Sequence, residues 1–160
     1  MKKCVFAGTF DPITNGHAFV IDKCLNMFDQ VVIAVGVNVD KTPAFTLEQR
    51  IEMIKSVYGE NPKISIKSFS GMLVNFMKEN EILINVRGIR DQDDYKYETT
   101  MARYNKDMYP EIITVFIPTP AELTYVSSSA VRNIMDLKSD FSAYVPKPVL
   151  EMARKIIKEK

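Results

Sequence analysis

Five short apolar runs, at residues 4–7, 31–37, 63–67, 82–86 and 112–117, alternate with longer stretches in which apolar residues recur at helical spacing. Strands separated by helices cannot pair through hairpins. Each requires a crossover, which lays the strands parallel and puts helices on the faces of the sheet. The pattern predicts an α/β, Rossmann-like fold: a five-stranded parallel sheet flanked by helices at 16–27, 47–58, 72–79 and 93–108, with two more after the last strand. The 160 residues suit one domain, 1–160, and a chain of this size buries a sufficient core without staples. Thr46-Leu47-Glu48-Gln49 reads as a capping box, and Pro146 and Pro148 introduce a last helix with one apolar stripe, Val149, Leu150, Ala153, Ile156 and Ile157.

In such a sheet ligands sit beyond the carboxyl ends of the strands, so the residues that follow each run carry the functional information. After the first comes Gly8-Thr9-Phe10-Asp11-Pro12-Ile13-Thr14-Asn15-Gly16-His17, a strand-to-helix turn that holds the only histidine. A helix start presents unpaired N–H groups and the positive end of a macrodipole, which suits phosphate. Gly8 permits close approach of a ligand, Gly16 removes a Cβ at the first turn, and Thr9, Thr14 and Asn15 add hydrogen-bonding groups. From the first helical turn His17 can point back over the loop and donate to phosphate oxygens. A plain turn capped by Asn15, with a surface histidine, accounts for the same residues. The spacing is that of neither a P-loop nor a G-x-G-x-x-G fingerprint.

Further groups fall on the same rim. Asn38 and Lys41 follow the second run, Arg87-Gly88-Ile89-Arg90 the fourth, and residues 119–129 the fifth. Arg87 and Arg90 offer two guanidinium groups beside a glycine where the chain can bend, although a surface turn paired with Asp91, Asp93 and Asp94 also fits. That acidic run is no EF-hand, since the places for glycine and glutamate hold Lys96 and Ala102. Ser127-Ser128-Ser129-Ala130-Val131-Arg132 opens a helix with three hydroxyls and a guanidinium, a second phosphate cradle. Two anion-binding helix starts in one fold leave room for a nucleoside triphosphate. Lys41 is either a swinging ammonium or a solvated loop residue. Met72, Leu73, Phe76 and Met77 form an apolar face with Leu73 near the rim, and Tyr97, Met101, Tyr104 and Met108 read as packing or subunit contact.

With 21 basic and 20 acidic residues the net charge is +1, which argues against a general nucleic-acid or membrane binder. Cys4 and Cys24 belong to no metal pattern and read as core thiols, and the early apolar run is broken too soon for a signal peptide. A cytoplasmic protein is expected.

Together these motifs resemble, in order and over essentially the whole chain, those of bacterial phosphopantetheine adenylyltransferases. Thr14-Asn15-Gly16-His17 is similar to the H-x-G-H motif of nucleotidyltransferases with threonine in the first histidine's place; Arg87-Gly88-Ile89-Arg90, Tyr97-Glu98 and Ser127-Ser128-Ser129-Ala130-Val131-Arg132 resemble later signatures. The resemblance implies a homohexameric enzyme of coenzyme A biosynthesis that moves AMP from ATP to 4′-phosphopantetheine with Mg²⁺ carried on the ATP phosphates. Dephospho-coenzyme A and pyrophosphate would result, by direct in-line attack without a covalent intermediate. It also implies the site: ATP at Thr9, Phe10, His17, Gly88, Ile89, Arg90, Glu98, Leu123, Thr124, Tyr125, Val126, Ser127, Ser128 and Ser129. Phosphopantetheine would meet Thr9, Lys41, Leu73 and Arg87, and catalysis would fall to His17, Lys41, Thr9 and Arg90, with no dedicated protein ligand set for a metal. Ala7 stands where the family usually has proline, and Asp91-Gln92-Asp93-Asp94 is more acidic than is common there.

Overall fold

The structure is a computed structural model that describes residues 1–160 except Val39, Lys41 and Lys160. Its strands are β1 (Lys3–Gly8), β2 (Gln30–Val37), β3 (Ile64–Ser70), β4 (Ile84–Ile89) and β5 (Ile113–Pro118). Between and after them run helices α1 (Asn15–Met27), α2 (Leu47–Tyr58), α3 (Leu73–Glu79), α4 (Gln92–Met108), α5 (Ser128–Asp136) and α6 (Lys147–Glu159). All strand pairs are parallel, in the order β3-β2-β1-β4-β5. The chain therefore winds outward from β1 in one direction, then returns to start β4 on its other side. That reversal opens a crevice above the carboxyl ends of β1 and β4.

Alternate residues of the central strands face two cores. Cys4, Phe6, Ile33 and Val86 pack with Val20 and Ile21 of α1, Ile54 of α2, Val131 of α5 and Val149 of α6. Val5, Ala7, Val32 and Ala34 pack on the opposite face with Phe76 and Met77 of α3. Both cysteines are buried and free, and the hydrogen bond with Cys24, then burial, push the Cys4 thiol up, so it stays protonated. The α2 capping box forms as expected, with Thr46 Oγ1 accepting from Gln49 N at 3.2 Å and Gln49 Oε1 from Thr46 N at 2.9 Å.

The fourth strand lies later than the apolar run at 82–86 indicates. Ile82 is spent closing the turn after α3, where its N–H donates to Met77 O, and the strand instead continues through Arg87, Gly88 and Ile89, paired with Phe116, Ile117 and Pro118. Gly88 thus makes no bend. A Cβ there would lie 3.0 Å from Val20 Cγ2, so its role is to let α1 approach the sheet.

Candidate functional site

The turn from β1 to α1 is organised by Thr14, not Asn15. Thr14 is the N-cap: its Oγ1 accepts from His17 N at 3.4 Å, while its own N–H donates to His17 Nδ1 at 3.0 Å. His17 thus occupies the place that Glu or Gln takes in an ordinary capping box. The consequence is chemical. Because Nδ1 accepts, the neutral ring carries its proton on Nε2, which fixes the tautomer as a donor. The edges of the ring are held by Phe10 at 4.9 Å and Phe6 at 6.2 Å between centroids. Burial, then the charges of Arg87 and Arg90, push its pKa from the usual 6.5 down to about 4. At neutral pH His17 is therefore an uncharged hydrogen-bond donor.

The same loop is tethered by groups with no obvious signature in sequence. Asp11 is 3 % exposed; its carboxylate accepts from Ala44 N and Phe45 N at 2.9 Å each and lies 3.8 Å from Arg132. Arg50, also 3 % exposed, donates from Nη1 to Thr9 O at 2.7 Å and to Gly36 O at 3.0 Å, tying the loop to β2. Asn15 is free of capping duty and reaches across to the segment before α6, donating to Tyr144 O and Ala143 O.

At the start of α5 the three serines divide three tasks. Ser127 caps the helix by accepting from Ala130 N, Ser128 donates its hydroxyl to Pro12 O, and Ser129 Oγ accepts from Arg132. Arg132 also donates to Asp11 O at 2.8 Å. This corrects the expected cradle of hydroxyls plus guanidinium: Arg132 clamps the opposite loop and is not among the residues lining the cleft, and of this helix start only Ser127 and Ser128 line it, where helix geometry leaves the Ser128 N–H without an intrahelical partner. The two helix starts meet at Gly16, where a Cβ would come within 3.3 Å of Val126 O.

Between them lies a cleft of about 230 Å³ lined by His17, Gly88, Arg90, Glu98, Leu123, Val126, Ser127 and Ser128, among others. A second cleft of about 390 Å³, lined by Thr9, Phe69, Met72, Leu73, Asn85, Tyr97, Met101 and Asn105, opens on the other side of Arg87. Ala7, Gly8, Arg87 and Glu98 border both. Arg87 is fixed there: Nε and Nη2 donate to the two oxygens of Glu98 at 3.0 and 2.7 Å, and Nη1 donates to Ala7 O at 2.8 Å. Two of its five donors remain for a ligand. Arg90 is paired with Asp94 at 3.1 Å; burial opposes ionisation of Asp94, but the hydrogen bonds and charge of Arg90 outweigh it and hold the carboxyl below its usual range. Asp91 caps α4 by accepting from Asp94 N. The acidic run thus has structural work.

The predicted residues divide accordingly. His17, Gly88, Arg90, Glu98, Leu123, Val126, Ser127 and Ser128 border the first cleft, and Thr9, Leu73 and Arg87 the second. Phe10 is buried behind His17, Ile89 ends β4, Thr124 donates to Ala121 O, Tyr125 meets Tyr144 edge to face, and Ser129 receives Arg132; none lines the first cleft. Lys41 lies outside the described residues. Tyr97 and Met101, read as packing or subunit contact, are cleft walls. Asp11, Arg50 and Asn85 carry no signature of their own in the sequence: each is a single polar residue, Asp11 in a loop, Arg50 among the charged residues of α2 and Asn85 inside an apolar strand.

Residues 5–134 match the family model described as cytidylyltransferase-like, which puts the chain among nucleotidyltransferases. The phosphopantetheine adenylyltransferase of Nautilia profundicola is 39% identical over 93% of this chain and 97% of its own, and that of Clostridium tetani is 39% identical over 94% of each. The chain belongs to the phosphopantetheine adenylyltransferase family. A crystal structure from Vibrio parahaemolyticus, assigned as a nicotinate-nucleotide adenylyltransferase, superposes with a TM-score of 0.71 over 96% of this chain and 99% of its own; at 20% identity it speaks for the fold alone.

Proposed function

We propose that the two clefts hold ATP and 4′-phosphopantetheine on either side of the wall formed by Ala7, Gly8, Arg87 and Glu98, and that the adenylyl group crosses there. Family membership supports the substrates. The observation that carries the reading is the shared wall: one fixed guanidinium borders both clefts at the switch point of the sheet. A phosphate oxygen of phosphopantetheine attacks the α-phosphorus of ATP, the bond to the bridging oxygen breaks, and pyrophosphate leaves with that electron pair. The acceptor phosphate is nucleophilic enough unaided, so the protein contributes position and charge stabilisation.

In this reading Nε2–H of His17 donates to an α-phosphate oxygen, Arg90 and the Ser127–Ser129 helix start hold the departing pyrophosphate, and Thr9, Arg87 and Lys41 hold the attacking phosphate. No three His, Cys, Asp or Glu side chains cluster as metal ligands among the described residues, and Asp94 and Glu98 are already paired with arginines. That donor set fits Mg²⁺ arriving on the nucleotide, held by phosphate oxygens and not by a protein cage. When bound it neutralises phosphate charge.

No helix among the described residues is long and apolar enough to cross a membrane. The free buried thiols support a cytoplasmic setting. For the homohexamer, Leu83, Tyr104, Met108 and Ile113 supply exposed apolar surface near α4 and β5. The function is tested by pyrophosphate release from ATP with 4′-phosphopantetheine against nicotinate mononucleotide as acceptor. Turnover with the first alone is expected; turnover only with the second overturns the assignment.

A further inference from the structure

The cleft assigned to the triphosphate contains an anion of the protein's own. Asp94, the third residue of α4, lines it together with His17, Arg90, Ser127 and Ser128, and its side chain is 26 % exposed. Burial opposes its ionisation, but the hydrogen bonds and charge of Arg90 hold the carboxyl below its usual range, so it is charged at neutral pH. A carboxylate in a polyphosphate site repels the ligand, and alanine there would remove the repulsion. The geometry shows what is gained. Oδ2 accepts from Arg90 N at 3.2 Å and from Arg90 Nε at 3.1 Å, and Oδ1 accepts from Nη2 at 3.5 Å. Asp94 is itself held by the N-cap, its N–H donating to Asp91 Oδ1 at 2.8 Å. Main chain and guanidinium of Arg90 are thus braced from the first turn of α4, and three of the five guanidinium N–H groups remain for a ligand.

We propose that Asp94 is a positioning residue for the leaving group: it orients Arg90 on the pyrophosphate as the bond to the α-phosphorus breaks. The inference rests on the adenylyl-transfer reading above. Arg90 follows directly on the end of β4 and is half-buried at most, so without a brace its long side chain samples many rotamers and must be ordered during transfer. Held beforehand, it meets the charge developing on the leaving oxygen with no reorganisation. The two shortest bonds end on one oxygen of Asp94, so the role needs an acceptor at that place and not the negative charge. Asparagine supplies such an acceptor; alanine does not.

The test reads dephospho-coenzyme A formation with and without added pyrophosphate. Asp94→Ala lowers kcat about tenfold or more and weakens inhibition by pyrophosphate about fivefold or more, with the KM for 4′-phosphopantetheine within about twofold. Asp94→Asn keeps kcat within about threefold of the unaltered enzyme. In an Arg90→Ala background the further change Asp94→Ala costs no more than about twofold, because the group it orients is gone. Asp94→Ser, too short to reach Nε, carries the alanine expectation if the alanine variant does not fold. An undiminished kcat in Asp94→Ala, tighter inhibition by pyrophosphate, an equal loss in the asparagine and alanine variants, or the full loss persisting without Arg90 each overturns the assignment of Asp94 alone. Absence of turnover by the unaltered enzyme with 4′-phosphopantetheine overturns both this inference and the function it rests on.

Discussion

His17 joins cap and catalyst in one side chain, and each role constrains the other. As the third residue of the capping box it accepts from Thr14 N, and so must keep its proton on Nε2. Since it is the only histidine, its imidazole signals in an NMR pH titration need no assignment. The free enzyme should show an Nε2–H tautomer titrating near pH 4, rising when ATP binds; a midpoint near 6.5 contradicts the electrostatics described. The linkage has a definite sign. Between pH of about 6.5 and about 4 the unfolded chain binds a proton that the native ring refuses, so stability falls as pH falls through that window, by up to about 3 kcal/mol. Thr14→Ala, measured by urea unfolding at pH 7, should cost about 1 kcal/mol through the lost cap. The sequence revealed the histidine and its helix start, but not which residue capped it: Thr14 and Asn15 are both good caps, and only the backbone geometry decides.

At the scale of elements, the site depends on how closely α1 sits on β4 and how firmly the β1–α1 loop is held. Gly88→Ala places a methyl group 3.0 Å from Val20 Cγ2 in a packed core and should destabilise by about 1–3 kcal/mol in urea unfolding. Arg50→Met removes the donors to Thr9 O and Gly36 O; a loss of about 2–3 kcal/mol, with a raised KM for both substrates, is expected. Unaltered kinetics with Arg50→Met would deny the loop its positioning role. Periodicity was enough to order the strands and helices, because each strand of the centre is apolar and each helix amphipathic. It misjudged β4, where Arg87 and Gly88 look like a turn although the ladder to β5 holds them extended. The same composition hid the fate of Arg132 and the serines: a helix start rich in hydroxyls reads as a phosphate cradle whether its hydroxyls face a ligand or, as here, bond their own helix and the neighbouring loop.

At the scale of the molecule, the reversal of strand order between β1 and β4 places two clefts against one arginine, and the order of motifs along the chain already indicates that the site residues gather on one rim of the sheet. The second cleft was less legible, since Tyr97, Met101 and Asn105 come from a helix whose repeat looks like packing, and Asn85 from the middle of a strand. Light scattering coupled to size exclusion should return six times the 18.3 kDa chain mass; a monomer at working concentration would contradict the proposed assembly. The central claim, a shared wall across which a neutral His17 stabilises adenylyl transfer, is tested most directly by the rate of pyrophosphate release from ATP and 4′-phosphopantetheine in the enzyme and in His17→Ala. A fall in kcat of about a hundredfold or more with ATP affinity preserved is predicted; near-full turnover by the variant would contradict it.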